Sequence, residues 1–260
     1  RTALADESDP FATAFTALAA PTAWITNQGG HSVSVVDLAA NRVSATLPVA
    51  KSPAGVVAVP KAGKVFVTAP DDNAVSVIDM RTRRVLATLP AGGGAVGIDA
   101  SADGRRVYVA DWYGRQLLGF DAASHAEVLR VPVGQAPAGV AVSGDGRHVY
   151  VAERDDDRVA VIDAEAAKVV ARIAVGSHPF ALLYDAPRRR VYALNVYSDD
   201  VSAIDVREPA APKVVGTVKV GKAPYGAALA AGGTRLYVTN QRDDSVTVID
   251  PDTLASVQTP

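Results

Sequence analysis

Short valine-rich runs separated by polar turns recur along the whole chain, and none of them has a helical 3.6-residue period. In one stretch they are Ala138–Val142, Val149–Ala152, Val159–Ile162 and Val169–Val175. Short runs rich in β-branched residues and bounded by turn formers predict strands. The runs are almost continuously apolar instead of alternating, which predicts sheets covered on both faces. Asp103-Gly104 and Asp145-Gly146 fall between first and second runs and predict tight hairpins there.

The runs are ordered by a repeat. Val75-Ser76-Val77-Ile78-Asp79 returns as Val33-Ser34-Val35-Val36-Asp37, Val159-Ala160-Val161-Ile162-Asp163, Val201-Ser202-Ala203-Ile204-Asp205 and Val246-Thr247-Val248-Ile249-Asp250, and more loosely as Leu117–Asp121. The closing aspartates stand at 37, 79, 121, 163, 205 and 250, so the period is 42 residues with one insertion of three, in the loop Arg207–Pro212. Four strands per unit of this length is the arithmetic of a propeller blade. The fold expected is therefore all-β, a single six-bladed β-propeller over 1–260 with four antiparallel strands per blade. Its repeats fall near 9–50, 51–92, 93–134, 135–176, 177–221 and 222–260. The first unit reads as complete, because Pro10-Phe11-Ala12 aligns with Pro179-Phe180-Ala181.

Leu236-Tyr237-Val238-Thr239-Asn240, followed by Ser245–Thr253, resembles the YVTN β-propeller repeat, and the likeness extends over nearly the whole chain. WD-type repeats fit less well, since their Gly-His and Trp-Asp signatures are absent. The resemblance implies extracytoplasmic bacterial proteins, often seven-bladed, with little uniform activity. A seven-bladed propeller with sequence missing is accordingly the alternative architecture.

Composition narrows the function classes. The net charge of -2 gives no electrostatic reason to expect nucleic acid. No apolar run approaches the ~20 residues of a membrane span. Absence of cysteine excludes a disulfide framework, thiolate zinc sites and C-x-x-C-H haem attachment. The first residue is Arg1 and not Met, which an export signal removed upstream would explain, so a periplasmic or secreted protein is expected.

Candidate chemistry is found where equivalent positions of the repeat differ. The residue after the start of the first strand reads Phe11, Ala54, Ala95, Ala138, Phe180 and Tyr225 through the units. The end of the second strand reads Asn27, Ala69, Asp111, Glu153, Asn195 and Asn240. In a closed ring the aromatics and amides share one side of the channel mouth and the acids lie opposite. Trp112 and His178 occupy adjoining loops, and Tyr197 lies beside them. The expected ligand pocket is thus Phe11, Asn27, Trp112, Glu153, His178, Phe180, Asn195, Tyr225 and Asn240. The loops after the second strands carry Asp71, Asp72, Asp155–Asp157, Asp199, Asp200, Asp243 and Asp244, which predicts an acidic mouth attractive to cations, a basic partner or a metal.

Gly92–Gly97 satisfies G-x-G-x-x-G, but a dinucleotide site needs a helix to open there, and a strand is predicted instead. No catalytic motif is present. The function expected is a non-catalytic scaffold, without catalytic residues or cofactor, binding a small molecule, peptide or protein at the mouth. The alternative is a metal-dependent hydrolase of lactonase type, in which Asp111, Glu153 and Asn195 hold calcium or magnesium.

Overall fold

The computed structural model describes residues 21–257, together with the backbone of Pro10–Thr16. Within these residues the chain is an all-β six-bladed propeller, each blade a sheet of four antiparallel strands in sequence order. Two compact units divide it: Arg1–Gly114 with Leu118–Val128, and Arg115–Leu117 with Leu129–Pro260.

The first unit holds blade one, β1 (Pro10–Thr16), β2 (Thr22–Asn27), β3 (Ser32–Asp37) and β4 (Arg42–Pro48), and blade two, β5 (Val56–Val59), β6 (Lys64–Ala69), β7 (Ala74–Asp79) and β8 (Arg84–Pro90). It also holds most of blade three, whose strands are β9 (Ala95–Ala100), β10 (Arg106–Asp111), β11 (Gln116–Asp121) and β12 (Glu127–Pro132). The second unit contains blade four, β13 (Pro137–Val142), β14 (His148–Glu153), β15 (Arg158–Asp163) and β16 (Lys168–Ala174). Blade five follows as β17 (Pro179–Asp185), β18 (Arg190–Asn195), β19 (Asp200–Asp205) and β20 (Lys213–Lys219), then blade six as β21 (Pro224–Leu229), β22 (Leu236–Asn240), β23 (Ser245–Asp250) and β24 (Ala255–Val257). Several observed strands run past the apolar runs by a polar residue, as at His148, Glu153 and Asp163, because ladder hydrogen bonds do not depend on side-chain polarity.

Core forms between blades. In the first unit Phe66, Val75 and Val77 of blade two pack with Val107, Val109 and Leu118 of blade three. In the second, Tyr150, Val159 and Val161 of blade four meet Val191, Ala193 and Ile204 of blade five. Packing between neighbouring sheets within a unit is why these strands read as unbroken valine runs. Blade six differs: Tyr237 and Val246 are exposed, whereas the equivalent Tyr192 and Val201 of blade five are buried, and no sheet of the second unit covers that face.

First strands of neighbouring blades approach closely, β13 lying against β17 and β17 against β21. Glycine permits this at Gly139, where a Cβ would lie 2.3 Å from the Phe180 carbonyl oxygen. The repeated aspartates are turn formers. Asp163 Oδ1 accepts from the N–H groups of Glu165 and Ala166 at 3.0 and 2.9 Å, and these bonds hold its carboxyl below the ordinary carboxylate range. Gly92–Gly97 leads into β9, so a strand stands where a dinucleotide site would need a helix. No helix among the described residues is long and apolar enough to cross a membrane.

Candidate functional site

In the second unit the chain reverses at the ends of β14, β18 and β22, and the loops there meet those that lead into each first strand. The two sets of loops are stapled by side chains. Gln135 N–H donates to Asp156 Oδ2 at 2.9 Å, Ser177 N–H to Ser198 Oγ at 2.9 Å, and Lys222 N–H to Asp243 Oδ2 at 2.6 Å. The next residue in two of these loops is tied back to the preceding blade: His178 N–H donates to Asp157 Oδ1 at 2.7 Å and Ala223 N–H to Asp199 Oδ1 at 2.9 Å. His178 and Ala223 both have positive φ, 55° and 52°, a conformation uncommon for non-glycine residues. Much of the acidity expected at the mouth is therefore fastening loop backbone. Strand cations omitted from the sequence count add to the balance, with Arg172 on Glu153 at 3.0 Å and Lys219 on Asp200 at 2.9 Å.

The residues expected to form one pocket have different fates. Phe180 and Tyr225 come together, with rings stacked at 4.5 Å between centroids and 23° between planes, each only partly buried. Burial pushes the Tyr225 phenol up to about 12, although Arg154 pulls in the opposite direction. His178 stacks on Tyr197 at 4.1 Å and 27°, and the Arg154 guanidinium lies 5.4 Å from the centroid of the same ring. Arg154 also pairs with Asp155, and His178 Nε2 lies 3.9 Å from Asp155 Oδ1. Five side chains of blades four to six thus form an aromatic and cationic patch: Arg154, His178, Phe180, Tyr197 and Tyr225.

Asn195 and Asn240 turn into their own blades. Asn195 Nδ2 donates to Asp200 Oδ1 at 2.8 Å and Ser202 Oγ at 2.9 Å, and Asn240 Nδ2 to Ser245 Oγ at 3.0 Å and Thr247 Oγ1 at 2.9 Å. Their Oδ1 atoms are buried without a hydrogen-bond partner. Asn27, in the first unit, repeats the pattern with Ser32 and Ser34 at 3.1 and 2.8 Å. Glu153 is fully buried, accepting from Gly134 N–H at 2.7 Å and from Arg172 Nε. Asp111, equally buried in the first unit, accepts from the Gly93 and Gly114 N–H groups at 2.9 and 3.0 Å. Trp112 follows it, its N–H donating to Gly94 O at 2.9 Å. The Phe11 side chain lies outside the described residues.

These partners bear on the metal alternative. A guanidinium on Glu153 opposes a cation there, and Asn195 points its amide donor, not its oxygen, at its neighbours. Among the described residues no group of three or more His, Asp or Glu side chains could hold a metal ion. Glu153, with Arg172 on its carboxylate, is engaged as an ion pair and does not suit calcium or magnesium.

Between the loops of blades five and six lies a cleft of about 300 Å³ lined by Val196, Tyr197, Asp199, Lys222, Ala223 and Arg242. Sequence reasoning placed Tyr197 and Arg242 in these loops without assigning them to a site, and it passed over Lys222. The available signal was the repeat itself, since Arg242 and Tyr197 each stand two residues past the closing asparagine of the second strand.

Residues 58–142 match the family described as YNCE-like beta-propeller. Solved structures share the fold across the chain at low identity. A virginiamycin B lyase from Staphylococcus aureus is 12% identical with a TM-score of 0.81, over 98% of this chain and 85% of that one. A functionally unknown protein from Desulfotomaculum acetoxidans DSM 771 is 12% identical with a TM-score of 0.80, over 92% of this chain and 78% of the other. Hydrazine synthase of Kuenenia stuttgartiensis is 18% identical with a TM-score of 0.68, over 96% and 98%. Such likeness shows a β-propeller and no particular activity. No curated protein matches the sequence.

Proposed function

We propose that this propeller is a binding scaffold whose ligand is engaged by the loop face of blades five and six. The observation that carries the reading is the partly exposed Phe180–Tyr225 stack. Two large aromatic side chains are left incompletely covered, whereas Trp24, Phe66, Tyr108, Phe120, Tyr150 and Tyr192 on other strands are buried. Aromatic surface beside a concavity, with a few polar groups converging on it, is the usual make-up of a small-ligand site. Arg154, His178 and Tyr197 supply those polar groups. The residues named for the expected pocket divide accordingly: His178, Phe180 and Tyr225 contact ligand, whereas Asn195, Asn240 and Glu153 hold the loops that carry them. The proposal retains the extracytoplasmic location implied by the repeat resemblance, which subcellular fractionation tests.

A library of aromatic fragments screened by ligand-observed NMR tests the site. Fragments that bind the native protein are expected to lose binding to the Phe180→Ala/Tyr225→Ala double variant, with circular dichroism confirming that it is folded. Unchanged binding of the same fragments would remove these two rings from the site.

A further inference from the structure

The cleft beside the aromatic pair carries a charge pattern that points to the ligand's chemistry. Lys222 and Arg242 both line it, and among the described residues the charged end of neither side chain has a carboxylate oxygen within 4 Å. The nearby acids are otherwise engaged. Asp199 lines the cleft with one oxygen committed to the Ala223 N–H, and Asp243 is held by the Lys222 N–H and does not line it. Of the charged side chains that line the cleft two are cationic and one is anionic, with the Asp243 carboxylate held at the Lys222 backbone beside them, in a loop region that sequence alone paints as acidic.

We propose, building on the binding-scaffold reading, that this cleft takes a small monoanionic carboxylate with a flat apolar body. An arginine fork suits a carboxylate because two of its N–H donors match the two oxygens, and a lysine adds a point charge beside it. Val196, Ala223 and the Tyr197 ring form the apolar part of the lining, and Tyr197 is 56% exposed. The volume suits a ligand the size of a substituted phenyl acid. A cation is disfavoured, since it would displace no existing partner and would face Lys222 and Arg242 directly.

Three probes of one shape separate charge from shape: 4-hydroxyphenylacetate, its neutral amide 4-hydroxyphenylacetamide, and the amine tyramine. Titration calorimetry on the native chain is expected to rank them acid, amide, amine, with the acid at least about tenfold tighter than the amide, the effect of one charge-assisted pair. Lys222→Gln/Arg242→Gln is expected to abolish that preference for the acid over the amide. Equal affinities, or a preference for tyramine, would overturn the anion assignment and leave the scaffold reading standing. Binding of none of the three up to millimolar concentration would overturn both. An acid preference that survives in the double variant would place the recognising charges elsewhere and refute the role of Lys222 and Arg242.

Discussion

Blades four and five share the same strand pairing and each buries a carboxylate that meets a more exposed cation, but they place it differently. In blade four the carboxylate closes the second strand: Glu153 pairs across the ladder with Arg158 and is held by Arg172. In blade five the second strand closes on Asn195, and the carboxylate moves to its cross-strand partner Asp200, held by Lys219. Blades one, six and two follow the same complementarity. Asn27 faces Ser32, Asn240 faces Ser245, and blade two sets Ala69 against Ala74. A buried donor needs an acceptor beside it, and an acid needs donors, so each position constrains its partner. What looks in a single column of the repeat like broken symmetry is half of a two-residue exchange.

The sharpest way to break this pairing is Asn195→Asp, which sets two carboxylates together in a buried site. A loss of about 3 kcal/mol is expected from an uncompensated buried charge, measured by urea unfolding. The double variant Asn195→Asp/Asp200→Asn restores one acid to one amide and should recover at least half of it. No recovery would mean that the two side chains are not coupled.

Glu153→Ala leaves the partly exposed Arg172 and the Gly134 N–H without their acceptor, and about 2 kcal/mol should be lost. A change below about 0.5 kcal/mol would show that water replaces the carboxylate freely. Asn240→Ala removes two neutral hydrogen bonds to exposed Ser245 and half-exposed Thr247, so a smaller loss, about 1 kcal/mol, is expected in the same measurement.

The smallest effect separates Tyr225 from the rest through pH. Its phenol rises from an ordinary value of 10 to about 12 because burial disfavours the phenolate. A raised folded value means that this contribution is fully present below pH 10 and is lost as pH climbs through about 12. Absorbance titration of the tyrosines should therefore lose one late-titrating group in Tyr225→Phe, and the decline in stability between those two pH values should become shallower. Loss of a group that titrates near the ordinary value of 10 instead of a late one would contradict burial of this ring.

Much of the fold could be read directly from the sequence. A 42-residue period, four valine-rich runs per unit and Asp-Gly turns define the blades, because strand and turn chemistry is local and is repeated often enough to outweigh any single ambiguous run. The neighbourhood of Phe180 and Tyr225 could be read as well, since both follow a proline that opens a first strand, Pro179 and Pro224, each paired in the same register with a closing asparagine.

Which atom of a polar side chain meets which partner was decided only in three dimensions. The asparagine five residues before Asp200 or Ser245 carried the signal, but its donor could have faced the cleft as easily as the ladder until the strands were paired. Likewise the acidic loops were counted from their own residues, whereas Arg172 and Lys219 reach them from fourth strands and Lys222 from the loop beyond. Charges within a few ångströms act together however far apart they lie in the chain, so the sign of the cleft is a property of the packed blades. The residues themselves determined that strands, turns and a repeated sheet would form, and with them which first-strand aromatics would be neighbours.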